Sequence, residues 1–133
     1  MSKDFNFFKV DSERLKSVFA DLKEILKGKR EVILAIVFGG VLRRSVVRDI
    51  DLAVYLDSSL VGDEIDAAVY SEKLSKELSN RIGIPVDVVV INFAPMWLKK
   101  RILEGRVLID RDPILRLSLK LAVMDNLVKR FHK

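Results

Sequence analysis

Leu15, Val18, Phe19, Leu22, Ile25 and Leu26 recur at steps of three and four residues after Asp11, predicting an amphipathic helix that Gly28 stops. Val32 to Phe38 follows as an unbroken apolar run rich in β-branched residues, the pattern of a strand covered on both faces. Gly39 and Gly40 end it. From Ile50 to Leu56 the pattern alternates, with Ile50, Leu52, Val54 and Leu56 on one face and Asp49, Asp51, Ala53 and Tyr55 on the other. Ala67, Tyr70, Leu74, Leu78 and Ile82 mark a helix from near Asp63 to about Arg81, broken by Gly83 and Pro85. Val86 to Ile91 reads as a further strand, with Asp87, Val89 and Ile91 sharing a face. Pro95 suits the first turn of a short helix carrying Met96, Trp97, Leu98 and Ile102, with Trp97 read as a core residue. Gly105 to Ile109 is expected to be a short edge strand. A last helix is expected from near Asp112-Pro113 towards Phe131.

The alternation of helices and strands predicts an α/β layer architecture around a central sheet. No Pro-, Gly- or Ser-rich linker and no internal repeat divides the 133 residues, so they are read as one domain, 1–133.

Composition narrows the chemistry. No apolar run approaches the ~20 residues of a membrane helix. The start, Met1-Ser2-Lys3-Asp4-Phe5, carries an acid where a signal peptide has its apolar stretch, so a cytoplasmic location without membrane contact is expected. Cysteine is absent, which excludes disulfides and thiolate metal sites. The one histidine, His132, is expected to be solvated near the chain end. A metal would have to be held by oxygen, which favours Mg²⁺, Mn²⁺ or Ca²⁺ over Zn²⁺. The net charge of +5 is spread along the chain among acids. The tight cluster Lys99-Lys100-Arg101 reads as a solvated helix face, so nucleic-acid binding through charge is an alternative and not the leading expectation.

The candidate chemistry lies in the acids. Residues i and i+2 of a strand point the same way, so Asp49 and Asp51 offer two carboxylates to one surface, an arrangement that a divalent cation relieves. Asp-x-Asp alone is common and has a bland reading as a solvated strand entry. Two features add to it. Phe38-Gly39-Gly40 precedes a short segment able to start a helix, where glycines let backbone N–H groups approach phosphate. Asp87 interrupts the β-branched run from Val86 to Val90, where a lone carboxylate in a central strand would be costly without a cationic partner. Gly28-Lys29-Arg30 is not a Walker loop, no Gly-x-Gly-x-x-Gly occurs, and no Ser-His-Asp or Cys-His set can be assembled.

Phe38-Gly39-Gly40, Arg48-Asp49-Ile50-Asp51-Leu52-Ala53-Val54 and Val86-Asp87-Val88-Val89 together resemble the nucleotidyltransferase superfamily related to DNA polymerase beta. The short chain and its Glu104 to Asp112 segment look most like the minimal, MntA-like branch. The resemblance implies a mixed central β-sheet flanked by helices, two Mg²⁺ ions and a nucleoside triphosphate, commonly ATP. It implies that Asp49, Asp51 and Asp87 are metal ligands and catalytic, with Asp87 helping to deprotonate the attacking hydroxyl, and that Gly39 and Gly40 hold the β- and γ-phosphates. Where the family usually has Gly-Ser, this chain has Gly39-Gly40, and Arg48 stands where Ser commonly precedes the aspartate pair. Arg43, Arg44 or Arg48 could make up for this by pairing with phosphate, the other reading being a solvated loop.

The final helix carries two apolar stripes: Ile114, Leu117, Leu121, Met124, Val128 and Phe131, and Leu115, Leu119, Val123 and Leu127. A surface helix needs only one, so the second is either core or an interface for a partner or a homo-oligomer. The resemblance implies a HEPN-domain toxin as protein partner, with AMP transferred from ATP to its hydroxyl. Two other readings stay open: an antitoxin of this fold that acts by contact, and a basic RNA- or nucleotide-binding module.

Overall fold

A computed structural model describes residues 6–131 of the chain, apart from the side chain of Phe131. The readings of the first five residues and of His132 lie outside the described residues.

Among the described residues six strands and four α-helices follow in the order β1 (Phe8–Lys9), α1 (Ser12–Lys27), β2 (Val32–Phe38), β3 (Val46–Val47), β4 (Ile50–Leu56), α2 (Glu64–Ile82), β5 (Val86–Val90), α3 (Met96–Leu103), β6 (Arg106–Asp110) and α4 (Pro113–Phe131). Short 3₁₀ turns follow β2 at Gly40–Leu42 and β5 at Ile91–Phe93. Helix α1 starts on Asp11, whose carboxylate accepts from the Arg14 N–H at 2.8 Å, and α2 starts on Asp63 in the same way through Asp66 N–H. Gly83 closes α2 in the left-handed conformation at φ +82°, which only glycine adopts without strain.

The main sheet has the order β5-β4-β2-β6 and is mixed, as expected: β2 runs antiparallel to β4 and β6, while β4 and β5 are parallel. Each face buries a different half of the alternating pattern. Val32, Ala35 and Val37 of β2 join Leu52 and Val54 of β4 against α1 and α2, which contribute Leu22, Leu26, Leu74 and Leu78. On the other face Leu34, Ile36, Phe38 and Ala53 meet Ile91, with Ile102 of α3 and Leu119 of α4 closing that side. The result is three layers, helix–sheet–helix, with a buried cluster on each face of the sheet. Among the described residues no helix is long and apolar enough to cross a membrane.

Several expectations need correcting. Trp97 is 62% exposed and not a core residue. Helix α3 has only two turns and buries Ile102, with Leu98 and Leu103 packed beside it, so Trp97 is turned towards solvent. Pro95 is the residue before that helix and not within its first turn. Strand β5 is an edge of the sheet, so the cost of a carboxylate in a central strand does not apply to Asp87, which is exposed. On α4 the stripe containing Val123 packs inward, whereas Ile114, Leu117, Leu121, Met124 and Val128 face solvent.

Candidate functional site

At one end of the sheet β2 finishes where β4 and β5 begin. Phe38, the last residue of β2, is paired with Asp51, and on the other side of β4 the parallel register sets Asp51 directly beside Asp87. Neighbouring strands lie about 4.8 Å apart, so these two acids are next-door residues although 36 positions separate them in the chain. Asp49 sits one residue before β4 and joins them from that strand's entry. Ala53 and Val89, two residues further along each strand, pack towards α3, so Asp51 and Asp87 stand on the α3 side of the sheet.

The strand entries are held from several directions. The Ile50 N–H donates to the Pro85 carbonyl at 2.8 Å, tying the start of β4 to the start of β5. Two serines of α2 satisfy Val86: Ser79 Oγ accepts from its N–H at 2.8 Å, and the Ser75 hydroxyl donates to its carbonyl at 2.5 Å. An edge strand leaves such groups open to water or to another chain, and the serines close them, fixing the residue before Asp87.

The electrostatics follow from this crowding. Burial, followed by the charges of Asp49 and Asp87, pushes Asp51 up to about 6, against a smaller opposing pull from Arg101. Asp87 is also raised, by partial burial and by Asp49. Among the described residues no three acidic or histidine side chains form a ready-made cage for a metal ion. The aspartates share one electrostatic field, and their all-oxygen, mutually repelling donor set suits a hard divalent cation.

In front of the acids an open cleft of about 840 Å³ is lined by Gly40, Arg44, Arg48, Asp49, Asp51 and Arg101, with Phe7 and Phe8 on another wall. Of the residues expected to contact phosphate, Gly40, Arg44 and Arg48 therefore line the cleft with the aspartates. Arg43 does not: it ends the 3₁₀ turn and is exposed elsewhere. Gly39 acts from behind, with its α-carbon against Asp51.

Three lining residues escaped the sequence reading. Arg101 belongs to the cluster read as a solvated face, yet it borders the cleft and its charge reaches Asp51. Its neighbour Ile102 is fully buried in the group that contains Phe38, and this anchors the last turn of α3 near the end of β2. Phe7 and Phe8 arrive through the pairing of β1 with β3, reinforced by a 2.6 Å hydrogen bond from the Val10 N–H to the Ser45 carbonyl. Two-residue strands have no periodicity to read.

A family model described as "Polymerase beta, Nucleotidyltransferase" matches residues 20–114. No curated protein matches the chain in sequence. Among solved structures, the toxin–antitoxin complex MntA-HepT contains a chain 17% identical with a TM-score of 0.65, the match covering 86% of this chain and 87% of that one. A complex of tri-AMPylated HEPN toxin with MNT antitoxin from Shewanella oneidensis gives 19% identity and a TM-score of 0.63, covering 86% and 90%. A toxin–antitoxin structure with AMP-PNP gives 18% and 0.67, covering 84% and 87%. At these identities the likeness is one of fold.

Proposed function

Because this chain belongs to the polymerase beta nucleotidyltransferase family, we propose that it transfers AMP from ATP to a hydroxyl group of a HEPN-domain partner protein. The observation that carries this reading is the register of Asp51 beside Asp87, with Asp49 two residues away, where Asp49 and Asp51 line a cleft bordered by arginines. Similarity of fold to antitoxins solved with HEPN toxins, one of them tri-AMPylated, supports both the transferred group and the class of acceptor.

In this reading Asp49, Asp51 and Asp87 would hold magnesium, which would supply positive charge to the attacking and leaving oxygens. Asp87, on the strand beside Asp51, takes the proton of the acceptor hydroxyl. The hydroxyl oxygen bonds to the α-phosphorus, the bond to the β-phosphate bridging oxygen breaks, and pyrophosphate leaves. Arg44, Arg48 and Arg101 bind and orient the triphosphate from the cleft walls, guanidinium being suited to phosphate oxygens. Backbone at Gly40 approaches the phosphates, with the arginines replacing the hydroxyl that a serine there would offer.

The test is transfer of label from α-³²P-ATP to a HEPN protein encoded beside this chain, in magnesium buffer. The partner should become labelled, and Asp51→Asn should abolish labelling. Labelling that survives the substitution would overturn the enzymatic reading. An unlabelled partner that is nonetheless neutralised, with wild type and variant alike, would establish the contact reading instead.

A further inference from the structure

Five residues of α4, Ile114, Leu117, Leu121, Met124 and Val128, are each between 52% and 73% exposed. Their spacing is three, four, three, four, the a/d pattern of a two-stranded helical seam. At about 1.5 Å per residue the stripe runs roughly 21 Å along the helix. It lies nearly opposite the inward stripe of Leu115, Leu119 and Val123, with α3 flanking only its Lys120 and Met124 edge through Lys100, Leu103 and Glu104.

The flanking charges select the occupant. With Ile114 at position a, Lys120 falls at g and Asp125 at e, and both are exposed. In a parallel pair of identical helices the g residue of one faces the e residue five positions further along the other. Lys120 of each copy then meets Asp125 of its partner, twice by symmetry. An antiparallel pair spanning the same stripe would set Lys120 against Leu127 and Asp125 against Ser118, and would form neither ion pair. Asp125 is also ion-paired within its own helix to Lys129 at 3.2 Å, and with its side chain 65% exposed it has oxygen to share.

We infer that α4 docks against α4 of a second copy of this chain in a parallel two-helix seam, making the protein a reversible homodimer. The seam leaves the cleft of each copy open, since the aspartates lie at the sheet end and not on this helix face. With barely two heptads in contact, association is weak, in the range of about micromolar.

Sedimentation equilibrium of the full chain tests this, from about 1 to 300 μM around the expected range. The wild type should move from monomer to dimer. Leu121→Glu should remain monomeric, Lys120→Glu should weaken the dimer roughly 5–10-fold, and Lys120→Glu with Asp125→Lys should restore it. The chain has no cysteine, so Leu121→Cys provides a clean geometric check. In the parallel seam two a positions face each other, and mild oxidation should link the copies. These substitutions are at exposed positions, and circular dichroism confirms the folded state of each variant. A monomer at every concentration, a dimer indifferent to Lys120→Glu, or a Leu121→Cys dimer that does not cross-link would overturn the inference. A monomer that binds a HEPN partner through Leu121 would assign the face to that partner instead.

Discussion

The carboxylate of Asp51 occupies the space that a side chain on Gly39 would need. A Cβ at Gly39 would come within 2.3 Å of Asp51 Oδ2, and the φ of +84° at Gly39 with a ψ of −152° is a region open essentially to glycine alone. The glycine that ends β2 thus leaves room for the central acid of the neighbouring strand.

Gly39→Ala should therefore damage two things at once. Backbone strain should cost about 1–3 kcal/mol in denaturant unfolding. Displacement of Asp51 should reduce nucleotidyl transfer by roughly two orders of magnitude, as misplacement by an ångström can. Loss of stability with full retention of transfer would show that Asp51 does not act at its observed position.

Gly40→Ser should behave oppositely. A Cβ there meets only the Arg44 guanidinium, at 3.8 Å, and φ is not positive. Stability should change by less than about 0.5 kcal/mol, as expected of a substitution away from packed features. The added hydroxyl should lower the KM for ATP. A raised KM would mean that Arg44 already holds the phosphate and is pushed aside.

The raised Asp51 carries a stability penalty in the metal-free protein. Its folded value of about 6 lies above the ordinary 3.8, so between these limits the folded state binds more protons than the unfolded state and stability falls as pH rises. Asp51→Asn removes the penalty. At pH 7–8 without metal it should stabilise the protein by about 1 kcal/mol, a figure reduced for the solvent screening of a half-buried group. The gain should shrink as pH falls below 6 and vanish below about 3.8. Destabilisation at pH 7–8 would contradict the crowding of the three acids.

Arg101→Gln should leave the fold intact, since the residue is exposed. It should weaken ATP binding roughly tenfold, the loss of one charged phosphate contact. Removing its cationic pull should also move the titration profile of Asp51 in the metal-free protein upward, because Arg101 opposes the rise there. An unchanged KM and profile would restore this residue to the solvated helix face that its sequence suggests.

The alternating and continuous apolar patterns revealed β2, β4, α1 and α2 almost to the residue, because each buries a periodic face against the core. The candidate acids were legible for the same reason: once Ile50 and Leu52 face the core, Asp51 must face the other way. What the pattern could not reveal depends on chain reversals. Trp97 carries the side chain most expected to be buried, but α3 is too short to hide more than one side. Arg101 gains its place through the burial of Ile102 in the cluster that holds Phe38, which joins segments more than sixty positions apart. Asp87 is conspicuous in sequence for a cost that an exposed edge strand does not impose. It belongs to the site because Ser75, Ser79 and Pro85 fix the register of β5 on β4.

Calorimetric titration of manganese with a non-hydrolysable ATP analogue into the wild type and into Asp51→Asn and Asp87→Asn addresses the central claim without requiring any acceptor. Joint binding of metal and nucleotide to the wild type, abolished by Asp51→Asn and weakened at least tenfold by Asp87→Asn, is the predicted result, in proportion to the loss of charged ligands from one site. Equal binding by all three proteins would contradict it, because the carboxylates brought side by side at the entries of β4 and β5 would then hold no metal.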